Sequence, residues 1–312
     1  MAKKNSSVVA LELSRSYLKL VEFLPAENQI SMVAIKPLDA SQWDDDNYLI
    51  EQVKASISKH VTEPDADLVT AMFSENAVIR MVEIPNGEDN IIDAIQWEME
   101  QYLIHPLEEY LLDYQSLGPN QDETARSYLA AAFRRSEVER FTNIMERSGC
   151  NLAVMDLDVF AAQNVFEVNY PEKLPLKTFL IKADSHVVKC IRTQNGHFLG
   201  FESAPVDMAF MTSAAEAKND IVLNIVNQIR TALDRAQDVW GGVDQIVLCG
   251  DLALDNEFRE MLEANMPSEV LHLNAFKEIN FALSPEKSAV FMPSAPQCAG
   301  AVGLALRRRG DS

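Results

Sequence analysis

Cysteine is scarce in this chain of 312 residues: four, at Cys150, Cys190, Cys249 and Cys298, none spaced as CxxC. That spacing excludes a disulfide framework or a thiolate metal centre and leaves small buried hydrophobes in a reducing compartment. The five histidines (His60, His105, His186, His197, His272) form neither HxxxH nor HExxH, so no metal site is expected. Basic residues are also few, 27 Lys and Arg against 47 Asp and Glu, for a net charge of −20. A nucleic-acid partner needs clustered Lys and Arg to release counterions. The only cluster is Arg307-Arg308-Arg309, read as a helix end favoured by the macrodipole. No apolar run approaches the roughly 18 residues of a membrane span. Glu12 breaks the run Val8–Leu13, which therefore reads as a strand and not as a signal peptide. A soluble globular chain remains, 47% apolar with a mean hydropathy of −0.09, long enough for two ordinary domains.

What is there is a repeat. Val8-Val-Ala-Leu-Glu12-Leu-Ser14-Arg-Ser16-Tyr-Leu-Lys19-Leu-Val-Glu22 is an apolar β-rich run, a short polar turn and a second run. Thr178-Phe-Leu-Ile-Lys182-Ala-Asp184-Ser-His-Val-Val-Lys189-Cys-Ile191 has the same form, and placing Glu12 on Lys182 also places Lys19 on Lys189. Two hairpin openings, each followed by helical sequence, predict two similar α/β halves facing each other across a cleft. Strands are expected at Val8–Leu13, Tyr17–Phe23, Ile30–Ile35, Asp67–Phe73 and Ala77–Glu83, and again at Tyr110–Ser116, Ser127–Ala132, Leu152–Met155, Gln245–Cys249 and Val270–Leu273. Helices are expected at Tyr48–His60, Asn90–Leu103, Ser136–Ser148 (Ser136 as N-cap, Glu139 closing a capping box, Gly149 beyond the end), from Asp158, and at Ala214–Val239, Asn256–Asn265 and Pro296–Leu306. The material between the first hairpin and the elements completing half one reads as an inserted subdomain.

Arg80-Met-Val-Glu-Ile-Pro85, Ala94-Ile-Gln-Trp97-Glu-Met-Glu-Gln-Tyr102, Pro106-Leu-Glu-Glu-Tyr110 and Asp113-Tyr-Gln115 resemble the PilM family of type IV pilus assembly proteins. The likeness continues through Ser148-Gly-Cys150, Asp156-Leu-Asp158-Val-Phe-Ala161 and Ala301-Val-Gly-Leu-Ala-Leu-Arg307, nearly the whole chain in order. The resemblance implies an actin-like (ribonuclease H-like) two-domain ATPase fold, α/β, with an FtsA/PilM-type inserted subdomain. Residues 1–38 and 131–176 would form the first half, 39–130 the insertion and 177–312 the second half. It further implies a cytoplasmic protein, peripheral to the inner membrane, that binds the N-terminal tail of PilN, communicates with the pilus assembly ATPases and forms part of a ring. In relatives that tail lies in a groove between the inserted subdomain and the first half, which maps here to Trp97, Tyr102 and Pro106. Taken by themselves, Trp97 is expected in the core of the inserted subdomain, and Tyr102, near the helix end, is open between core and groove.

The nucleotide motifs depart from the family pattern. Actin-like ATPases place Asp-x-Gly in each hairpin turn, the acid for magnesium and the glycine for close phosphate approach. This chain has Glu12 with Ser14 (and Ser16 beyond) in one turn and Lys182 with Asp184 in the other. The adenosine-side turn, Gly-Gly in relatives, reads Cys249-Gly250-Asp251, and Gln228 stands where relatives carry Glu. A Cβ at 14 or 184 obstructs phosphate, and a carboxylate at 184 repels it. Alternating strand residues share a face, so Glu12, Ser14, Lys182 and Asp184 are expected to look into the cleft, with Glu12 and Lys182 pairing across it in place of the metal–phosphate bridge, as an exposed pair of about 0–1 kcal/mol. Asp158 and Phe160 are open between contacting nucleotide and starting a helix, and of the two a helix N-cap is the role favoured for Asp158.

Three readings follow. The first is a scaffold of a type IV pilus or related secretion machine with no catalytic residues, at most a weak ATPase, similar to PilM and to the cytoplasmic domain of GspL. The second is a nucleotide-gated switch that binds Mg-ATP through Glu12, Ser14, Ser16, Lys182, Asp184 and Gly250. The third, a kinase of the same superfold, lacks an evident general base and an open phosphate site.

Overall fold

The computed structural model describes residues 7–61, 66–120, 122–207, 215–282 and 285–307. Two compact units form: Met1–Ala71 with Met145–Arg309, and Met72–Ile144. The inserted part is thus narrower at its start and longer at its end than the 39–130 read from sequence, for a reason visible in the strand pairing.

In the larger unit, β1 (Val8–Leu13), β2 (Tyr17–Leu24) and β3 (Gln29–Pro37) make an antiparallel meander. Helix α1 (Asp46–His60) begins earlier than expected because the Asp45 carboxylate accepts from the amides of Asn47 and Tyr48 at 2.9 and 3.3 Å. Its buried face, Leu49, Ile50 and Val53, contributes roughly 1.5–3 kcal/mol per side chain. It leads to β4 (Asp67–Met72), which pairs parallel with β1, Val8 to Leu11 facing Asp67 to Thr70. That pairing makes α1 and β4 part of the first half.

The Met72–Ile144 unit holds β5 (Ala77–Pro85), α2 (Ile91–Glu100), β6 (Tyr110–Pro119), β7 (Ala125–Arg134) and most of α3 (Arg135–Arg147). The strands form an antiparallel sheet in the order β5-β7-β6, with α2 on one face. Val82, Ile84, Ile95, Met99, Tyr110, Tyr128, Ala130 and Ala132 make its core. Helix α3 runs directly out of β7 from Arg135, so Ser136 lies inside the first turn and not ahead of it. Gly149, just past its end, has φ +81°, as a left-handed helix stop requires.

The chain then returns through β8 (Asn151–Leu157) and α4 (Asp158–Asn169) to a second sheet. There β9 (Thr178–Ala183), β10 (Val187–Gln194) and β11 (His197–Pro205) repeat the meander, α5 (Ala215–Trp240) repeats the helix, and β12 (Gln245–Cys249) repeats the parallel strand, on β9. Helix α6 (Asn256–Asn265) and β13 (Val270–His272) follow. The sheets read β3-β2-β1-β4-β8 and β11-β10-β9-β12-β13, the same order twice, and β14 (Asn280–Phe281) adds itself beside β3. The last segment, expected in the second half, therefore partly serves the first sheet. After α7 (Pro285–Phe291) comes α8 (Ala299–Ala305).

Helices α4 and α8 pack on each other, α8 also against β1 and β2, and α4 also against β9, β10 and β11. Val159, Ala161, Ala162, Val165 and Phe166 of α4 are buried, and so is the whole of α8, the latter as expected of a helix apolar on every side. On the second sheet, α5 lays Val222, Ile225, Val226, Ile229 and Leu233 over Phe179, Ile181, Val188, Ile246 and Leu248. Cys190, Cys249 and Cys298 are buried free thiols. Arg307 Nε lies 3.6 Å from Asp156 Oδ2, and Arg308 and Arg309 fall outside the described residues. Among those residues no helix is long and apolar enough to cross a membrane.

Candidate functional site

The two hairpins close in the same way. The Ser14 amide donates to Tyr17 O at 2.8 Å, and the Asp184 amide donates to Val187 O at 3.0 Å. Antiparallel register sets Glu12 opposite Lys19 and Lys182 opposite Lys189. All four side chains are buried.

Glu12 stands at the centre. Its Oε1 lies 3.1 Å from Lys182 Nζ, and its Oε2 lies 3.3 Å from Lys19 Nζ and accepts from the Ala301 amide of α8 at 3.1 Å. Lys182 also pairs with Asp184 and reaches Asp158 Oδ2 at 4.0 Å, and Lys189 pairs with Asp158. Lys19 reaches Asp251 Oδ1 at 2.8 Å, which also accepts from Gln297 Nε2 at 3.1 Å. A chain of alternating charge thus runs Asp251, Lys19, Glu12, Lys182, Asp158, Lys189, with Asp184 attached at Lys182. Buried ions persist when paired and hydrogen-bonded. Burial alone would push the Asp184 carboxyl up, but the Lys182 and Lys19 ammoniums outweigh it and hold it well below the usual carboxylate range. Burial would likewise lower Lys19 and Lys182, but Asp251 and Glu12 raise the first, and Asp184, Glu12 and Asp158 the second. Asp251 is pushed up, by burial first and then by the Asp184 charge.

Several expected residues have other duties. Ser14 Oγ donates to Tyr17 O and accepts from the Tyr17 amide, both at 3.1 Å, so its hydroxyl closes its own turn. Ser16 is buried, and its carbonyl accepts from the Leu38 amide at 2.8 Å. Gly250 has φ +99°, and a Cβ there would lie 2.4 Å from Ala183 O, so glycine permits close approach to β9. Gln228 Nε2 donates to Asn224 Oδ1 at 2.9 Å, one turn away on α5. Asp158 is not a cap: Leu157 holds that position, and the Asp158 carboxylate turns to the lysines. The Glu12–Lys182 pair forms, but buried and networked rather than exposed.

Sequence reasoning assigned no role to Lys19, Lys189 or Asp251. A usable signal existed for the first two: lysines at matching places in the second strands of two similar hairpins.

In the Met72–Ile144 unit, Trp97 is 63% exposed, which corrects the expectation that it is core. Ile95 and Met99 of α2 face the sheet, and Trp97, two residues from each, falls on the other side of the helix. Tyr102 is 48% exposed with the Arg80 guanidinium 4.6 Å from its ring centroid, Ile104 is 89% exposed, and Pro106 is exposed. Glu100, Glu108 and Glu109 are exposed nearby in sequence, and Glu98 is half-buried.

The family model of the type IV pilus assembly protein PilM matches residues 10–182. The chain belongs to the PilM family of type IV pilus assembly proteins. A solved PilM–PilN type IV pilus biogenesis complex is similar to this PilM-family chain, with a TM-score of 0.83 at 17% identity over 97% of this chain and 99% of that one. The ethanolamine utilization protein EutJ of Carboxydothermus hydrogenoformans aligns with a TM-score of 0.55 at 11% identity, covering 96% and 88%. Component A of the Acidaminococcus fermentans (R)-2-hydroxyglutaryl-CoA dehydratase aligns at 0.50 and 11%, covering 96% of each chain. At these identities the likeness is one of fold, and the fold is actin-like, as expected.

Proposed function

We propose that this PilM-family protein is a non-catalytic scaffold of a type IV pilus, or related secretion, inner-membrane assembly complex. Its Met72–Ile144 unit takes the N-terminal tail of a PilN-like membrane protein. The observation that carries this reading is the exposed group Trp97, Tyr102 and Ile104, large apolar side chains on a unit also bearing Glu98, Glu100, Glu108 and Glu109. Exposed aromatics of this size serve as binding anchors. The acids favour a basic partner, and cytoplasmic segments beside a membrane helix are enriched in Lys and Arg. The solved relative carries PilN as its partner.

The same reading places the protein in the cytoplasm, held at the inner membrane through its partners and in contact with the pilus assembly ATPases, as one of many copies in a ring. Its charge of −20 argues against nucleic acid. The cleft works without nucleotide. Calorimetric titration with a synthetic peptide of the PilN-like tail tests the central claim. Saturable binding that weakens with rising salt and is lost in Trp97→Ala supports it. A peptide that binds equally well to Trp97→Ala, or not at all to the natural protein, refutes it.

A further inference from the structure

Equivalent positions of the two repeats carry opposite charges, Glu12 on β1 and Lys182 on β9, and the two meet at 3.1 Å. Like charges there would repel and need a cation between them; opposite charges need nothing. The Lys182 ammonium contacts carboxylates from three places, Glu12 on β1, Asp184 in the second hairpin turn and Asp158 on α4. It thus takes the position of a cation, tethered to the chain. Glu12 continues the contact to the Ala301 amide of α8, and Lys19 to Asp251 in the turn after β12. Both sheets and both helices between them are joined through one set of charges.

These residues do not fit a magnesium-bound triphosphate. Phosphate needs open backbone amides and free positive charge. Lys19, Lys182 and Lys189 are each already paired with a carboxylate, Ser14 closes its own turn, and Asp184 adds a negative charge at the other turn. The Glu12 carboxylate fills the space beside α8 so fully that a Cβ on Gly300 would lie 2.2 Å from Oε1.

We propose that this network is an internal clasp that joins the two sheets in place of nucleotide and metal, fixing the larger unit in one state so that partner binding is not gated by ATP. The proposal rests on the scaffold reading above and specifies its regulation.

Hydrogen exchange of the full chain, read by mass spectrometry, tests it in two arms. In the natural protein, exchange across residues 12–18, 182–188 and 299–303 should be identical with and without millimolar Mg-ATP; slowing there overturns the proposal. In Glu12→Gln, exchange at 299–303 should quicken by about tenfold or more while the Met72–Ile144 unit keeps its natural rates. Unchanged rates at 299–303 overturn the proposal. Should Glu12→Gln not fold, Asp251→Asn, which removes only the outermost pair, must quicken exchange at 250–254 and 299–303, and unchanged rates there overturn it equally. Tail-peptide titration runs in parallel: failure of the tail to bind, with the exchange results as expected, rejects the function reading and leaves the clasp standing.

Discussion

Gly303 of α8 packs so closely on α4 that a Cβ at residue 303 would lie 1.8 Å from the Ala161 carbonyl oxygen. Backbone atoms cannot yield as a flexible side chain can, so one methyl group must separate the two helices. Inserting a methylene into a packed core costs typically 1–3 kcal/mol, and about the upper end or more is expected here. Gly303→Ala should lower the urea midpoint accordingly, with exchange quickening first in α4 and α8. A midpoint unchanged within error would mean that the helices sit further apart than described.

Lys182 neutralises more than it stabilises. Buried ion pairs often add little net stability, but removing one partner leaves its carboxylates charged and dry, at about 3–5 kcal/mol. Lys182→Met should therefore destabilise strongly by chemical denaturation, although it adds no bulk. Lys182→Met combined with Glu12→Gln should recover part of that loss, because one stranded charge goes with the ammonium. A double variant as unstable as the sum of the two singles would show that the pair is not coupled.

The network also sets a pH profile. Asp184 titrates below its unfolded value of 3.8, so between the folded and unfolded values the unfolded chain holds the proton. Its contribution is therefore full above about 3.8 and lost as pH falls through the folded value. Lys182 titrates well above 10.5, so its contribution is full below about 10.5 and lost as pH climbs through its folded value. Plots of unfolding free energy against pH should show Asp184→Asn flattened on the acid side and Lys182→Met flattened on the alkaline side. Variant curves parallel to the natural one at both extremes would contradict the assignment.

Buried thiols offer an independent check on packing. Burial pushes the Cys249 and Cys298 thiols up to about 12, and Cys150, less enclosed, to about 11. Since the thiolate is the reacting species, alkylation near neutral pH should be slow for all three in the folded protein and rapid in denaturant. Fast labelling of Cys298 in the native state would place α8 in exchange with an open form.

The repeat was legible because its signal is local: two apolar strands broken by a turn, with charges at matching places. The Glu12–Lys182 contact was legible because the repeat itself relates the two positions. Its burial was not, since the Ala301 amide that meets Glu12, and the Asp251 that meets Lys19 beside it, come from a part of the chain far from residue 12. Periodicity sees a few turns of chain and not contacts of that separation. Asp158 misled for the same reason: an acid opening a helix reads as a cap until a lysine from another strand claims it. The extent of the inserted unit turned on β4 pairing with β1, which no run of apolar residues announces. Trp97 was within reach of sequence reasoning. Ile95 and Met99 define the buried side of α2, and residue 97 falls opposite them.

That outward position makes Trp97 the residue whose loss should separate folding from binding. A side chain 63% exposed has little core to give up, so Trp97→Ala should change stability by no more than about 0.5 kcal/mol. The same truncation should weaken the tail peptide by about 2 kcal/mol or more, roughly thirtyfold, as loss of an aromatic anchor does. Reversing charge at Glu98 and Glu100 together should act differently. It should slow association and reduce the salt dependence of binding, because charges at the surface, exposed Glu100 and half-buried Glu98, steer encounter more than they hold the complex. A Trp97→Ala protein that is as stable as the natural one and binds the peptide as tightly would refute the docking of the tail on this surface.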